Sequence, residues 1–439
     1  MTVIGLPPLG PVPDLSLPPL ADVTLPSGLR VVAARCPSVP MTELRLAVPL
    51  PVVTANEAAV AEVLAASMLH GYANRTHADI ADLLERSGST LDVGRSRWLT
   101  LSASCPTDRL EELVHLIGGL MAGAAHCEDA VDRERRRLTQ KVTVARAQPQ
   151  TIAASALVDH AYGDVPALRP LPELADVARV TAERVRELHR RTVLPGGAHL
   201  VIVGDIDLED AIETVARQME QWEAGSADGP QAFLRPLPAG SLRLVDRPGA
   251  VQSQIRLLAP GAHRDDPRFP SLSLANVVFG GYFSSRLVMS LREEFGLAYR
   301  VDSSFRDYLD QMVIAIEADT ATEVTAAALK QIQHQIRQLS ERPVTGVEID
   351  AARRYLAGMS MLATASQSGL AGSLLAALLL GQPPARLVTF PKLLDAIDTE
   401  ELRATASEFY RPEAFCGVVV GDRSALADEL EGTTDDYFA

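Results

Sequence analysis

Three blocks of sequence occur twice in this chain, in the same order. Gly28-Leu-Arg-Val-Val answers to Ser241-Leu-Arg-Leu-Val, Thr181-Ala-Glu-Arg-Val-Arg-Glu-Leu-His to Thr399-Glu-Glu-Leu-Arg-Ala-Thr-Ala-Ser, and His199-Leu-Val-Ile-Val-Gly-Asp to Cys416-Gly-Val-Val-Val-Gly-Asp. Leu29 and Leu242 are 213 residues apart, and Gly204 and Gly421 are 217 apart. A near-constant offset over three blocks marks an internal duplication. The 439 residues are therefore constrained to two copies of one unit. Within a unit, alternating stretches such as Thr42–Leu50 mix with helical patterns such as Leu110, Leu113, Val114, Ile117 and Leu120. This mixture predicts an α+β unit, a mostly antiparallel sheet with helices packed on one face.

The boundaries follow. Residues 1–19 are a Pro-rich arm, 20–222 the first unit, 223–240 a linker rich in Gly, Pro and Ala, and 241–439 the second unit. Asp228-Gly229-Pro230 is the linker's turn signal. In the first unit, Asn56–His70 reads as an Ala- and Leu-rich helix. Ile80–Ser87 reads as another, ended by Gly88. Ser89–Val93 and Trp98–Ser104 read as a hairpin, and an Arg-rich helix starts near Glu128.

Composition removes several function classes. A net charge of −15 argues against a nucleic-acid surface and against a polybasic membrane patch. Cys36, Cys105, Cys127 and Cys416 form no CxxC pair, which predicts buried thiols in a reducing, cytoplasmic compartment. The opening Met1-Thr-Val-Ile-Gly-Leu-Pro-Pro has no basic n-region and no apolar h-region, so no signal peptide is expected in it. Tyr355 to Ala385 carries no charge, but Ser, Thr, Gln and Gly interrupt it. Two buried helices are expected there, and no membrane span.

The stretch from Phe279 to Tyr299 reads as strand end, glycine turn, helix, glycine stop and strand. Gly280 and Gly281 permit a positive-φ turn, and Ser284 or Ser285 caps the helix. Leu287, Val288, Leu291 and Phe295 form its apolar face. Gly296 ends it, and Leu297, Tyr299 and Val301 alternate as in a strand. Arg292 and Tyr299 are thereby two donors directed into one region.

With these residues in view, the chain resembles the pitrilysin-like zinc peptidase family (M16), in its short bacterial and mitochondrial-processing branch. Gly280-Gly-Tyr-Phe-Ser-Ser-Arg-Leu followed by Leu291-Arg-Glu-Glu-Phe-Gly-Leu-Ala-Tyr299 resembles that family's second-domain signature. The resemblance covers roughly residues 20–430. Active members carry His-x-x-Glu-His on the first domain's first helix, with two zinc-binding His and a general-base Glu. Here Val63, Ala66 and Ser67 fall at those positions, and Arg135–Val158, the region of the third ligand, holds no Asp or Glu. The resemblance then implies no metal in this chain. It also implies that Arg292 and Tyr299, at the family's seven-residue spacing, contact the substrate backbone and its oxyanion.

The expected function is a non-catalytic, substrate-binding subunit of a heterodimeric zinc peptidase acting on peptides or leader segments. A paralogous partner would carry the zinc. The alternative is a structural core or peptide-binding protein of the same fold. Other candidates have bland readings. His70 and His77 flank a turn but lack a partner at metal spacing. Glu111, Glu112 and His115 share a solvated helix face, and His126-Cys127 is structural. No phosphate loop and no Gly-x-Ser-x-Gly elbow is present.

Overall fold

A computed structural model describes residues 15–52, 54–227 and 233–430. Most of the Pro-rich arm and the Asp228-Gly229-Pro230 turn lie outside them. The strands are β1 (Leu20–Thr24), β2 (Arg30–Arg35), β3 (Met41–Pro49), a small ladder β4 (Gly71–Tyr72) and β5 (Arg75–Thr76), β6 (Thr90–Arg95), β7 (Trp98–Pro106) and β8 (His199–Gly204). After the linker come β9 (Leu242–Asp246), β10 (Gln252–Pro260), β11 (Ala298–Tyr308), β12 (Gln311–Ala321) and β13 (Cys416–Gly421).

The two large sheets have one topology. The first runs β1-β2-β8-β3-β7-β6 and the second β11-β12-β10-β13-β9. Read from the other end, the second sheet matches β2-β8-β3-β7-β6 strand for strand. The one parallel pair also coincides, β2 with β8 and β13 with β9. Side chains repeat as well. Arg45 Nη1 donates to the carbonyls of Leu44 and Ala103, and Arg256 Nη1 to those of Ile255 and Ala318. The duplication expected from three sequence blocks is thus a duplication of structure, and the fold is α+β with mostly antiparallel sheets.

Each sheet carries its own helices on one face. Around the first sheet they build a core from residues such as Leu44, Leu46, Leu64, Leu99 and Ile117, all essentially buried. The second sheet has an equivalent core. The opposite face of each sheet is covered by a helix from the other half. Helix Gln367–Leu379 lays Leu370, Leu374 and Leu378 on Val32, Ala34, Ala47, Val201 and Val203. Helix Pro149–Tyr162 lays Ala153, Leu157 and Ala161 on Leu258, Ala315, Val418 and Val420. This exchange explains why β8 from Leu200 to Gly204 and all of β13 are apolar: strands buried on both faces cannot alternate.

Three local expectations change. The helix expected over Asn56–His70 is α-helical from Ala55 to Ser67 and tightens to a 3₁₀ turn at Met68–His70. Of the two helices expected to be buried in the charge-free run, Gln367–Leu379 is, whereas Gly346–Ala363 buries only Ile349 and Ala352. The pair bends by 113°, and among the described residues no single helix is long and apolar enough to cross a membrane. Cys105 and Cys416 are buried, but Cys36 is half-buried and Cys127 exposed; all four are free thiols.

Candidate functional site

The 277–301 segment is held to its sheet by a buried polar knot. Asn276 Nδ2 donates to the Ser303 carbonyl (3.1 Å), while Ser303 Oγ (2.6 Å) and Tyr410 Oη (2.9 Å) donate to Asn276 Oδ1. Val277–Gly281 then winds as a wide π turn rather than the positive-φ turn expected of Gly280 and Gly281. These glycines serve close approach instead. A Cβ on Gly280 would stand 2.7 Å from Ser303 Cβ, and one on Gly281 3.1 Å from the Asn276 carbonyl.

Ser285 occupies the N-cap position of the next helix, but neither it nor Ser284 caps with its side chain. The anchoring falls to Arg286. Its guanidinium makes two bonds to Glu348, at 2.7 and 2.9 Å. Burial alone would raise the Glu348 carboxyl; the bonds from Arg286 and Thr345 outweigh it and hold the group down at about 2. The helix is short, Arg286–Val288, and passes into a second π turn over Met289–Glu294. Leu287, Val288 and Leu291 are buried as expected. Phe295 is exposed, because the wider turn rotates it off the apolar face. Gly296 ends the segment at φ 62°, with Leu297 N–H bonded to the Leu291 carbonyl at 2.7 Å.

β11 begins irregularly. Ala298 faces Thr320 and Arg300 faces Asp319, so Tyr299 is the extra residue of a β-bulge. The alternation expected of Leu297, Tyr299 and Val301 is broken there. Tyr299 is 88% exposed, on an edge strand. Arg292 is also solvent-facing; its guanidinium lies over the Phe283 ring at 5.2 Å, with Glu293 3.5 Å away. Phe283, Met289 and Phe295 are exposed alongside.

The first half presents the corresponding helix, Ala55–Ser67, started by a Thr54/Glu57 capping box. Val63 and Ser67 are fully buried and Ala66 is exposed. Ser67 Oγ lies 2.7 Å from His126 Nδ1, His126 Nε2 lies 3.0 Å from His189 Nδ1, and His189 Nε2 lies 3.0 Å from the Met121 carbonyl. Burial drives the His126 imidazole down to about 3 and lowers His189 too. Both rings are neutral, so the terminal carbonyl sets the polarity: each Nε2–H donates and each Nδ1 accepts. His126 holds φ 41°, uncommon for a residue with a Cβ. None of this is legible from spacing, since the three residues are far apart in the chain.

Zinc does not fit this helix. Val63 and Ala66 offer no donor atom, and Ser67 is already hydrogen-bonded. His70 and His77 do meet, stacked at 4.7 Å, with Glu134 3.4 Å from His70 Nε2. Among the described residues no group of three or more His, Cys, Asp or Glu is arranged to hold a metal. Glu111 is spent on Arg217 and Gln218, and His115 on Gln218.

Residues 179–356, which include Arg292 and Tyr299, match the family described as "Peptidase M16 inactive domain". A protein of Streptomyces coelicolor named "Uncharacterized zinc protease" is 25% identical over 354 residues, 77% of this chain and 76% of its own. Among solved structures, a peptidase M16 inactive domain from Pseudomonas fluorescens aligns with a TM-score of 0.83 at 23% identity, over 92% of this chain and 98% of that one. The periplasmic protease PqqL of Escherichia coli aligns at 0.78 and 16% identity, over 93% of this chain but 46% of its own.

Proposed function

We propose that this chain, whose residues 179–356 match the peptidase M16 inactive domain, is a member of the M16 family and serves as the non-catalytic, substrate-binding subunit of a heterodimeric zinc peptidase. A paralogous M16 partner brings the zinc and the general base. The observation that carries the reading is a contrast. Where active relatives are expected to hold metal, this chain has Val63, Ala66 and a hydrogen-bonded Ser67. Its Arg292 and Tyr299 meanwhile face solvent, free of any buried structural bond.

In such an assembly, zinc held by the partner would supply Lewis-acid activation of water and carbonyl. This chain's part is to bind and orient. Arg292 offers a permanently charged fork of donors, and the Tyr299 hydroxyl a neutral one. Both suit a carbonyl oxygen gaining charge during peptide-bond attack. A bulge at the head of an edge strand is a fitting mount for such a side chain. Extended peptides, including leader or precursor segments, have open edges at β6 and β11 for strand addition. Four free cysteines suit a reducing, cytoplasmic setting.

The test is reconstitution. The isolated chain is expected to contain less than stoichiometric zinc by elemental analysis and to cleave no peptide. Mixing it with a zinc-motif M16 paralogue should yield cleavage that neither chain gives alone. Stoichiometric zinc in the isolated chain would overturn the reading. Full activity of the paralogue without this chain would favour a structural or peptide-binding role.

A further inference from the structure

The charge-free run of Tyr355–Ala385 has one face on the first sheet and another on a cavity of about 270 Å³. The cavity wall is mostly apolar: Phe269, Ala363, Ala376, Ala377, Leu380 and Phe390. Two arginines, Arg264 and Arg386, line the same space. Each is stacked on a phenylalanine. Arg264 lies 5.2 Å over Phe269 and Arg386 5.0 Å over Phe390, and the two rings are 5.9 Å apart. Arg386 Nη2 donates to the Arg264 carbonyl at 3.4 Å, so the two residues meet at one end.

The charges are not balanced. Arg264 has Asp307 at 3.6 Å, but its Nε is buried with no hydrogen-bond partner. Arg386 makes no ion pair among the described residues, and burial lowers its affinity for its own proton. A guanidinium kept beside apolar surface without an anion is costly. Stacking on an aromatic face offsets part of that cost, and an incoming anion would offset the rest.

We propose that this cavity binds an apolar chain ending in a carboxylate, with the chain along Ala376, Ala377 and Leu380 and the carboxylate at Arg386 and Arg264. The planar fork of an arginine matches a carboxylate in two parallel bonds. The inference is independent of the peptidase reading, since neither Arg292 nor Tyr299 takes part. A fatty acid and the C-terminus of an apolar peptide share this chemistry.

Calorimetric titration of the full chain with decanoate, decanol, and an apolar tetrapeptide in free-acid and amide forms tests it. At least one carboxylate is expected to bind more tightly than its neutral counterpart by about tenfold or more, the worth of a charge-assisted bond. Decanoate alone binding identifies a lipid-like ligand; the free-acid peptide alone identifies a chain terminus. Arg386→Gln should abolish the preference and leave decanol unaffected. No binding of either carboxylate at millimolar concentration, or equal binding of acids and neutral analogues by the unmutated chain, would overturn the proposal.

Discussion

Ser67 Oγ and His126 Nδ1 lie 2.7 Å apart, and this bond joins the first helix to the loop before helix Glu128–Ala145. Its polarity is imposed from the far end of the chain of bonds, by the Met121 carbonyl through His189. Replacing Ser67 by Ala leaves His126 Nδ1 buried with nothing to accept from. The cost is expected to be about 1–3 kcal/mol, the penalty of an unsatisfied buried polar group. Urea unfolding of Ser67→Ala against the parent chain measures it. An unchanged midpoint would mean the bond contributes nothing.

The same bonds make stability depend on pH. A histidine held neutral by burial binds its proton more weakly folded than unfolded. Its contribution is therefore complete above the unfolded value of about 6.5 and is lost as pH falls toward the folded value of about 3. Between pH 7 and pH 5, His126 alone should remove about 2 kcal/mol, and His189, shifted the same way, adds to the loss. His126→Gln should flatten the slope while lowering stability at pH 7. A parent chain equally stable at pH 7 and pH 5 would contradict this.

Arg292 and Tyr299 should behave oppositely to Ser67. Both are exposed and carry no buried bond. Arg292→Ala and Tyr299→Phe are each expected to change stability by less than about 0.5 kcal/mol. In the reconstituted peptidase, Arg292→Ala should lower turnover by about 10²–10³, the range seen when an oxyanion donor is lost. A stable variant with undiminished turnover would return Arg292 to an ordinary surface role.

How much of this was readable in advance follows the range of the interactions. The duplication was legible because paired strands conserve the spacing of apolar blocks, and Gly296 because a positive-φ stop needs no distant partner. Gly280 and Gly281 are not legible in this way, for the converse reason. Their requirement comes from Ser303 and Asn276 across the sheet, not from the local turn. The outward turn of Phe295 depends on π winding that apolar periodicity presumes absent. The Ser67–His126–His189 relay and the exchanged helices join residues far apart in the chain. That Val63 and Ala66 offer no donor atom to zinc is a matter of residue type alone.

The exchanged helices predict that the two halves cannot unfold separately. Leu374, fully buried, belongs to the second repeat but packs on β8 and β3 of the first. Both tryptophans, Trp98 and Trp222, belong to the first, and Trp98 packs against this same cluster. Leu374→Ala removes buried methyl groups from a wall that β8 and β3 cannot move to fill, at an expected cost of about 2–5 kcal/mol. If the helix is integral to the first half, tryptophan fluorescence and far-ultraviolet circular dichroism should report one transition, displaced together by the substitution. A fluorescence transition unmoved by Leu374→Ala, with circular dichroism alone shifted, would show instead that the first half stands without the helix that covers it.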